Sequence, residues 1–313
     1  MTLINEYWRL IVITLLGFAI ALPLLTKGPF ANHDEMNPIR FLAIKDCIED
    51  GQLPCRWSKE LGWGNGFPIF NYYAPGPYYL GAALSEVVGY INAEKILVLF
   101  SLVAGGIGMY LFVKKLYNEN AGFVAGVLYT IAPYKAVDIY VRGALSEAMA
   151  LAIVPFLFYF AYLLIKDKEN KYYISFSITL FFFLTTHNIM TILFIPLLAL
   201  FSIIILFKEG FKKSPLLITS GLLGVGLSAF YLLPAFFEKN LVRVDTLTGD
   251  YYNFQNHFVS LRQMFISNFW GYGSSGPGLA DGMSFQIGYV HWVIALIALL
   301  FIAVRLINKK VDL

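Results

Sequence analysis

The chain has 313 residues, of which 58% are hydrophobic and only 14% charged, and its mean hydropathy is +0.66. About a quarter of a water-soluble domain is charged, so a soluble globular class is excluded. The net charge of +3 carries no message about nucleic acid, because the charges divide between the two sides of a membrane.

The first apolar run, Trp8–Leu25, is eighteen residues long with a single charge, Arg9, at its start. As a helix it reaches roughly 27 Å, about the thickness of the hydrocarbon core. It is longer than a secretory h-region and is followed by the bulky Leu22-Pro23-Leu24-Leu25, so it reads as an uncleaved signal-anchor. A long outer loop, 26–74, comes next. It opens on His33-Asp34-Glu35 and continues into MNPIRFLAIKDCIED. Residues 36–50 predict an interfacial amphipathic helix, with Ile39, Leu42, Ala43 and Ile48 on one face and Arg40, Lys45, Asp46, Glu49 and Asp50 mostly on the other. Pro38 and Gly51 punctuate it. Cys47 and Cys55 lie eight residues apart; they are either a disulfide pinning this helix to its loop or two unpaired thiols. Trp57, Trp63, Tyr72, Tyr73, Tyr78 and Tyr79 suit the headgroup region, and residues 78–90 predict a short interfacial or re-entrant helix.

Further spans are expected at Ile96–Val113, Ala121–Val137, Glu147–Ile165, Tyr173–Thr186, Ile189–Phe207, Leu216–Phe237 and Gly288–Val304, with a second large outer loop at 239–287. The expectation is an all-α membrane protein, 1–313 forming a single transmembrane domain of about eight helices. Barrel strands would alternate in ten-residue segments instead. With the N-terminus inside, Arg9, Lys114, Lys115, Lys166, Lys168, Lys171, Lys208, Lys212, Lys213, Arg305, Lys309 and Lys310 fall in the cytoplasm, against Glu6, Glu119, Asp167, Glu169, Glu209 and Asp312. Basic residues thus dominate every short inner loop, as the positive-inside rule requires. Both termini are therefore expected in the cytoplasm of a plasma-membrane protein. The inner loops hold no phosphate-binding glycine motif.

Chemistry is therefore expected outside. Ionisable residues at the outer boundary are His33, Asp34 and Glu35; Asp138, Arg142 and Glu147; His187; and His257, Arg262 and Asp281. Such charges are expensive at membrane depth unless paired or functional. Arg142 and Glu147, five apart, either neutralise one another or serve a site. The acidic pair directly after the first span has fewer structural duties.

The segments NHDEMNPIRF, GQLPCRWSKELGWGNGFPIFNYYAPGPYYLGAAL, APYKAVDIYVRGALSEAMALAIVPF, THNIMT and NFWGYGSSGPGLADGMSFQIG resemble a family of bacterial membrane proteins labelled 6-pyruvoyl-tetrahydropterin synthase-related, akin to the YfhO-type proteins. Cys55 interrupts that pattern's usual Pro-Arg-Trp. A first span, an outer acidic motif and interfacial helices also resemble the GT-C glycosyltransferases, which use polyprenyl-phosphate-linked sugars on the outer membrane face in cell-envelope glycan assembly. The label itself does not suit the chain, since a pterin synthase is a soluble zinc enzyme needing a histidine cluster. The GT-C resemblance implies Asp34 as the base on the acceptor, with Glu35 beside it and His33 as modulator. It implies a cation for the donor phosphate, Arg142 first and Arg56 second, with Asp138, Glu147 and His187 in support. Some relatives use Mg²⁺ or Mn²⁺, for which Asp34 with Asp138 or Glu147 would be the ligands. The implied partners are the bilayer, the lipid-linked sugar and a glycan, lipid or protein acceptor, with no nucleic acid. Longer relatives imply that C-terminal spans are missing. The alternatives are a lipid-linked glycan flippase or transporter and a non-catalytic envelope-assembly protein.

Overall fold

The computed structural model describes residues 2–307 apart from 168, 244–248, 272–274, 279 and 280. Lys168, Lys309, Lys310 and Asp312 lie outside the described residues. Among the described residues the regular elements are helices, and the one extended pairing is a bridge between Ser58 and Phe67. In chain order they are α1 (Thr2–Ala21), α2 (Asn37–Glu49), α3 (Ile69–Tyr72), α4 (Gly76–Val88), α5 (Tyr90–Leu116), α6 (Glu119–Thr130) and α7 (Pro133–Val137). After a π-turn at Asp138–Arg142 follow α8 (Leu145–Asp167), α9 (Asn170–Leu184), α10 (Asn188–Glu209), α11 (Ser214–Leu227), α12 (Ala229–Phe237), α13 (Leu261–Phe265) and α14 (Tyr289–Ile307).

Five helices, α1, α5, α8, α10 and α14, are long and apolar enough to cross a bilayer, and α11 with α12, bent by 73°, is either a broken sixth span or a re-entrant pair. The chain is an all-α polytopic membrane protein. The count of about eight is not reached by length, because two expected spans are short helices. The run 121–137 is split into α6 and α7 with Ala132 extended between them (φ −58°, ψ 123°). Pro133 forces this: it lacks the amide a continuing helix needs and drives its predecessor out of the α region. Helix α9 has 15 residues. The expected single run 216–237 bends at Ser228, whose hydroxyl turns back onto the Gly224 carbonyl at 2.9 Å.

Helix α5 is the hub, packing on α1, α4, α6 and α8, while α8, α9, α10 and α11 build a second apolar cluster. Close approach of α5 and α6 depends on small residues: a Cβ on Gly106 would stand 2.1 Å from the Thr130 hydroxyl. Inside a bilayer such contacts, rather than hydrophobic transfer, hold helices together.

Helix α2 departs from its expected register. Its buried residues are Asn37, Phe41, Ala43, Ile44 and Cys47, which pack on α4 and α5, while Ile39, Leu42 and Ile48 stay exposed. The helix is thus apolar on two sides, one for the protein and one outward. Gly81 of α4 makes room for Phe41, whose ring would lie 2.2 Å from an added Cβ. Cys47 and Cys55 form a disulfide that ties α2 to its loop.

Basic helix ends gather at one end of the bundle. Arg9 meets Glu119 at 2.8 Å, Lys114 meets the same carboxylate at 2.6 Å, and Lys115 meets Asp167 at 3.2 Å. The loop after α1 and the starts of α8 and α10 lie at the other end.

Candidate functional site

At that second end two stretches of backbone run side by side. The His33 amide donates to the Val141 carbonyl (2.9 Å) and the Asp34 amide to the Arg142 carbonyl (3.0 Å). The chain then turns at Gly143, whose φ is +66°. Asn37, fully buried at the start of α2, fastens this junction. Its side-chain amide donates to the Gly143 carbonyl at 2.9 Å and to Glu94 Oε1 of α5 at 2.8 Å. Any side chain at 143 meets two obstacles: the left-handed conformation costs roughly 1–2 kcal/mol, and a Cβ would stand 2.1 Å from Asn32 Oδ1. Gly143→Ala should therefore lower the thermal midpoint of the purified protein and displace Asp34. An unchanged midpoint would show that this loop tolerates displacement.

The juxtaposition creates a polar cleft of about 300 Å³ lined by His33, Asp34, Arg40, Tyr73, Arg142, Ser146, Glu147 and His187. A second cavity of about 520 Å³ shares His33 and Arg142 and is completed by Tyr134, Tyr251, Tyr252 and residues 283–285. Residues from four distant stretches thus converge, including Asp34, His33, Arg142, Glu147 and His187 from the sequence reading.

Two cations face two carboxylates here. Arg40 Nη1 donates to Asp34 Oδ2 at 2.8 Å, and its guanidinium stacks 4.9 Å from the Tyr73 ring centre. Arg142 Nη1 donates to Glu147 Oε2 (2.8 Å), Asp138 Oδ1 (3.0 Å) and the Tyr134 hydroxyl (2.7 Å), and Tyr134 donates to the other oxygen of Glu147. The hydrogen bonds of this guanidinium among the described residues all use Nη1. Asp138 is fully buried behind Arg142, and burial, with the Glu147 charge next, holds its carboxyl well above the usual range. The cleft is thus near neutrality at rest. An arriving anion competes with Asp34 for Arg40 and with Glu147 for Arg142, and would release a carboxylate when it succeeds.

His187 caps α10, its Nδ1 accepting from the Met190 amide at 3.2 Å. Burial holds the imidazole below the usual histidine range, so it is neutral near pH 7. With Nδ1 used as acceptor, Nε2 carries the proton and is a donor.

Arg56 pairs with Glu238 at 3.4 Å, beyond α12, and does not line the cleft. Glu35 is exposed and also outside the lining. His257 and Asp281 serve the last loop: His257 Nε2 meets the Tyr251 carbonyl at 2.6 Å, and Asp281 Oδ1 accepts from the Met283 amide at 3.1 Å. Arg40, Asn37 and Tyr134 were not anticipated. The first two stand in the Asn-His-Asp-Glu-Met-Asn-Pro-Ile-Arg stretch, where a helix start directly after Asp34, with Asn37 and Arg40 in its first turn, is the signal.

The carboxylates expected to hold Mg²⁺ or Mn²⁺ are each committed to an arginine, and among the described residues no three His, Cys, Asp or Glu side chains are grouped to hold a metal. The donor set does not fit a divalent cation.

Residues 70–310 match the profile of a family described as 6-pyruvoyl-tetrahydropterin synthase related domain, membrane protein. Arg142, Glu147 and His187 fall inside the matched range; Asp34 and Arg40 precede it. No curated protein matches the chain.

Proposed function

We propose that this chain, which belongs to the 6-pyruvoyl-tetrahydropterin synthase-related family of membrane proteins, is a glycosyltransferase that takes sugar from a polyprenyl-phosphate carrier at the outer membrane face. The pterin chemistry in the family's label finds no support in the site. His33 and His187 are at the cleft, His257 is in the last loop and His291 is on α14, so no histidine cluster forms.

The observation that carries the reading is the cleft itself, where the first-loop carboxylate Asp34 shares a membrane-boundary cavity with Arg40 and Arg142. An acceptor oxygen attacks the anomeric carbon, the carbon–oxygen bond to phosphate breaks, and its electron pair goes to the phosphate oxygen. Asp34 takes the acceptor proton. Arg142, Arg40 and the Nε2–H of His187 stabilise the leaving phosphate. The catalysis is electrostatic and needs the low dielectric of a membrane-edge site.

The outer-face placement draws support from the Cys47–Cys55 disulfide, which persists in oxidising compartments, and from the basic residues gathered at the opposite end. Since both native cysteines are bonded, single cysteines report topology directly. Cysteine at Asn65 should react with a membrane-impermeant maleimide in intact cells, and cysteine at Glu119 or Glu209 should react only after lysis. Labelling of Glu119→Cys in intact cells would reverse the orientation.

The activity is tested by supplying membranes rich in the protein with a radiolabelled polyprenyl-phosphate sugar. A glycosyltransferase consumes it and releases free polyprenyl phosphate. A flippase, or an assembly protein without catalysis, leaves the donor intact.

A further inference from the structure

Helices α9, α10 and α11 enclose a groove of about 900 Å³, three times the volume of the polar cleft, with walls formed by Phe176, Leu184, Thr191, Ile195, Leu206 and Gly221 among others. Its lining carries no charged side chain. Thr191 spends its hydroxyl on the His187 carbonyl at 3.0 Å. Along α10 the lining runs from Thr191 to Leu206, roughly 22 Å at the helical rise, or most of one bilayer's hydrocarbon thickness.

Two features separate this groove from an ordinary lipid-facing surface. Leu184 and Thr191 stand on either side of the turn that carries His187, so the groove begins where the polar cleft ends. Gly221 lies inside α11, where glycine costs a helix about 1 kcal/mol relative to alanine. At Gly224, one turn on, that cost has a packing reason: an added Cβ would lie 2.9 Å from the Ser177 carbonyl. At Gly221 an added Cβ would meet nothing within 4 Å. Gly226 of the same helix is equally open but lies outside the lining, so what marks Gly221 is its position: its missing side chain opens space in the groove.

We infer that this groove holds the hydrocarbon chain of the same lipid phosphate whose head occupies the cleft, so that cleft and groove are one bipartite site for a single amphiphile. The inference rests on the lipid-phosphate reading proposed above. Polarity is matched along the length, with arginines and the His187 donor at the head end and apolar wall below. Because lipid tails are as apolar as the wall, the groove selects by shape and length rather than by hydrophobic transfer. A long flexible isoprenoid gains contacts along α10 that a short chain cannot reach.

Gly221→Phe tests this, since its ring enters open space. Binding would be measured in phosphatidylcholine nanodiscs for undecaprenyl phosphate and for isopentenyl phosphate, which shares the head but not the length. Gly221→Phe should weaken undecaprenyl phosphate by about tenfold or more, through lost packing contacts, and leave isopentenyl phosphate unchanged. Gly221→Ala should resemble wild type, and thermal midpoints should match across the three proteins. If Gly221→Phe binds undecaprenyl phosphate normally while Arg142→Gln weakens it, the chain lies elsewhere and this inference falls, with the functional reading intact. Equal weakening of both probes by Gly221→Phe would also overturn it, since the effect would not be chain-specific. If Arg142→Gln and Arg40→Gln change neither probe, the lipid-phosphate reading itself fails.

Discussion

On the proposed glycosyltransferase function, Asp34→Asn should give a folded, membrane-inserted protein whose glycan transfer has fallen by about 10²-fold or more, the scale of a lost acid–base group. Asn keeps the shape and an acceptor oxygen, so the 2.8 Å bond from Arg40 survives as a weaker, uncharged contact. Arg40 is further held by Asn37 Oδ1 at 3.2 Å and by the Tyr73 and Tyr78 rings. The Asp34 amide remains bonded to the Arg142 carbonyl. The loss in activity therefore cannot be blamed on the loop's collapse, which an unchanged thermal midpoint would verify. What disappears is the proton acceptor. Glu35→Gln is the matched control: that side chain is exposed and outside the cleft, so its amide should leave transfer near the wild-type rate. Full activity in Asp34→Asn would end the assignment of the base.

The membrane-spanning helices were legible because an eighteen-residue apolar run reports bilayer thickness without reference to any neighbour. The break at Pro133 was written in the chain but hidden by averaging hydropathy across it. Helix α2 was harder. Its residues offer two apolar stripes, one through Ile39 and Leu42, the other through Phe41, Ile44 and Cys47, and only the packing on α4 and α5 decides which is buried. That choice carries Arg40 to Asp34, where the opposite register would have left it in solvent. Arg142 and Glu147 are five positions apart, a spacing that places no two side chains together on a regular helix. The π-turn at Asp138–Arg142 and the left-handed Gly143 bring them to 2.8 Å, and neither is readable from composition. The ion pair of Arg56 with Glu238 spans 182 positions; local pattern is silent at such range.

The geometry around Arg142 ranks the variants that separate a phosphate ligand from a structural ion pair. Arg142→Gln strips both Glu147 and Asp138 of their cation, and a fully buried pair broken this way costs about 3–5 kcal/mol. The cost here should be lower, because the guanidinium is 36% exposed. Glu147→Met leaves Arg142 still facing Asp138 at 3.0 Å, so it should be the milder single change. Combining the two should recover much of the stability lost in Arg142→Gln: no ionised Glu147 remains, and Asp138, whose carboxyl burial already favours as neutral, meets the amide of the new glutamine. That recovery is the signature of coupling. Transfer should not recover with it, since a glutamine has neither the charge nor the planar fork that grips phosphate. Arg142→Lys should likewise fold and lose donor affinity. A stable double variant with normal transfer would show the Arg142–Glu147 pair to be structural, leaving Arg40, already beside Asp34, as the cation that receives the phosphate.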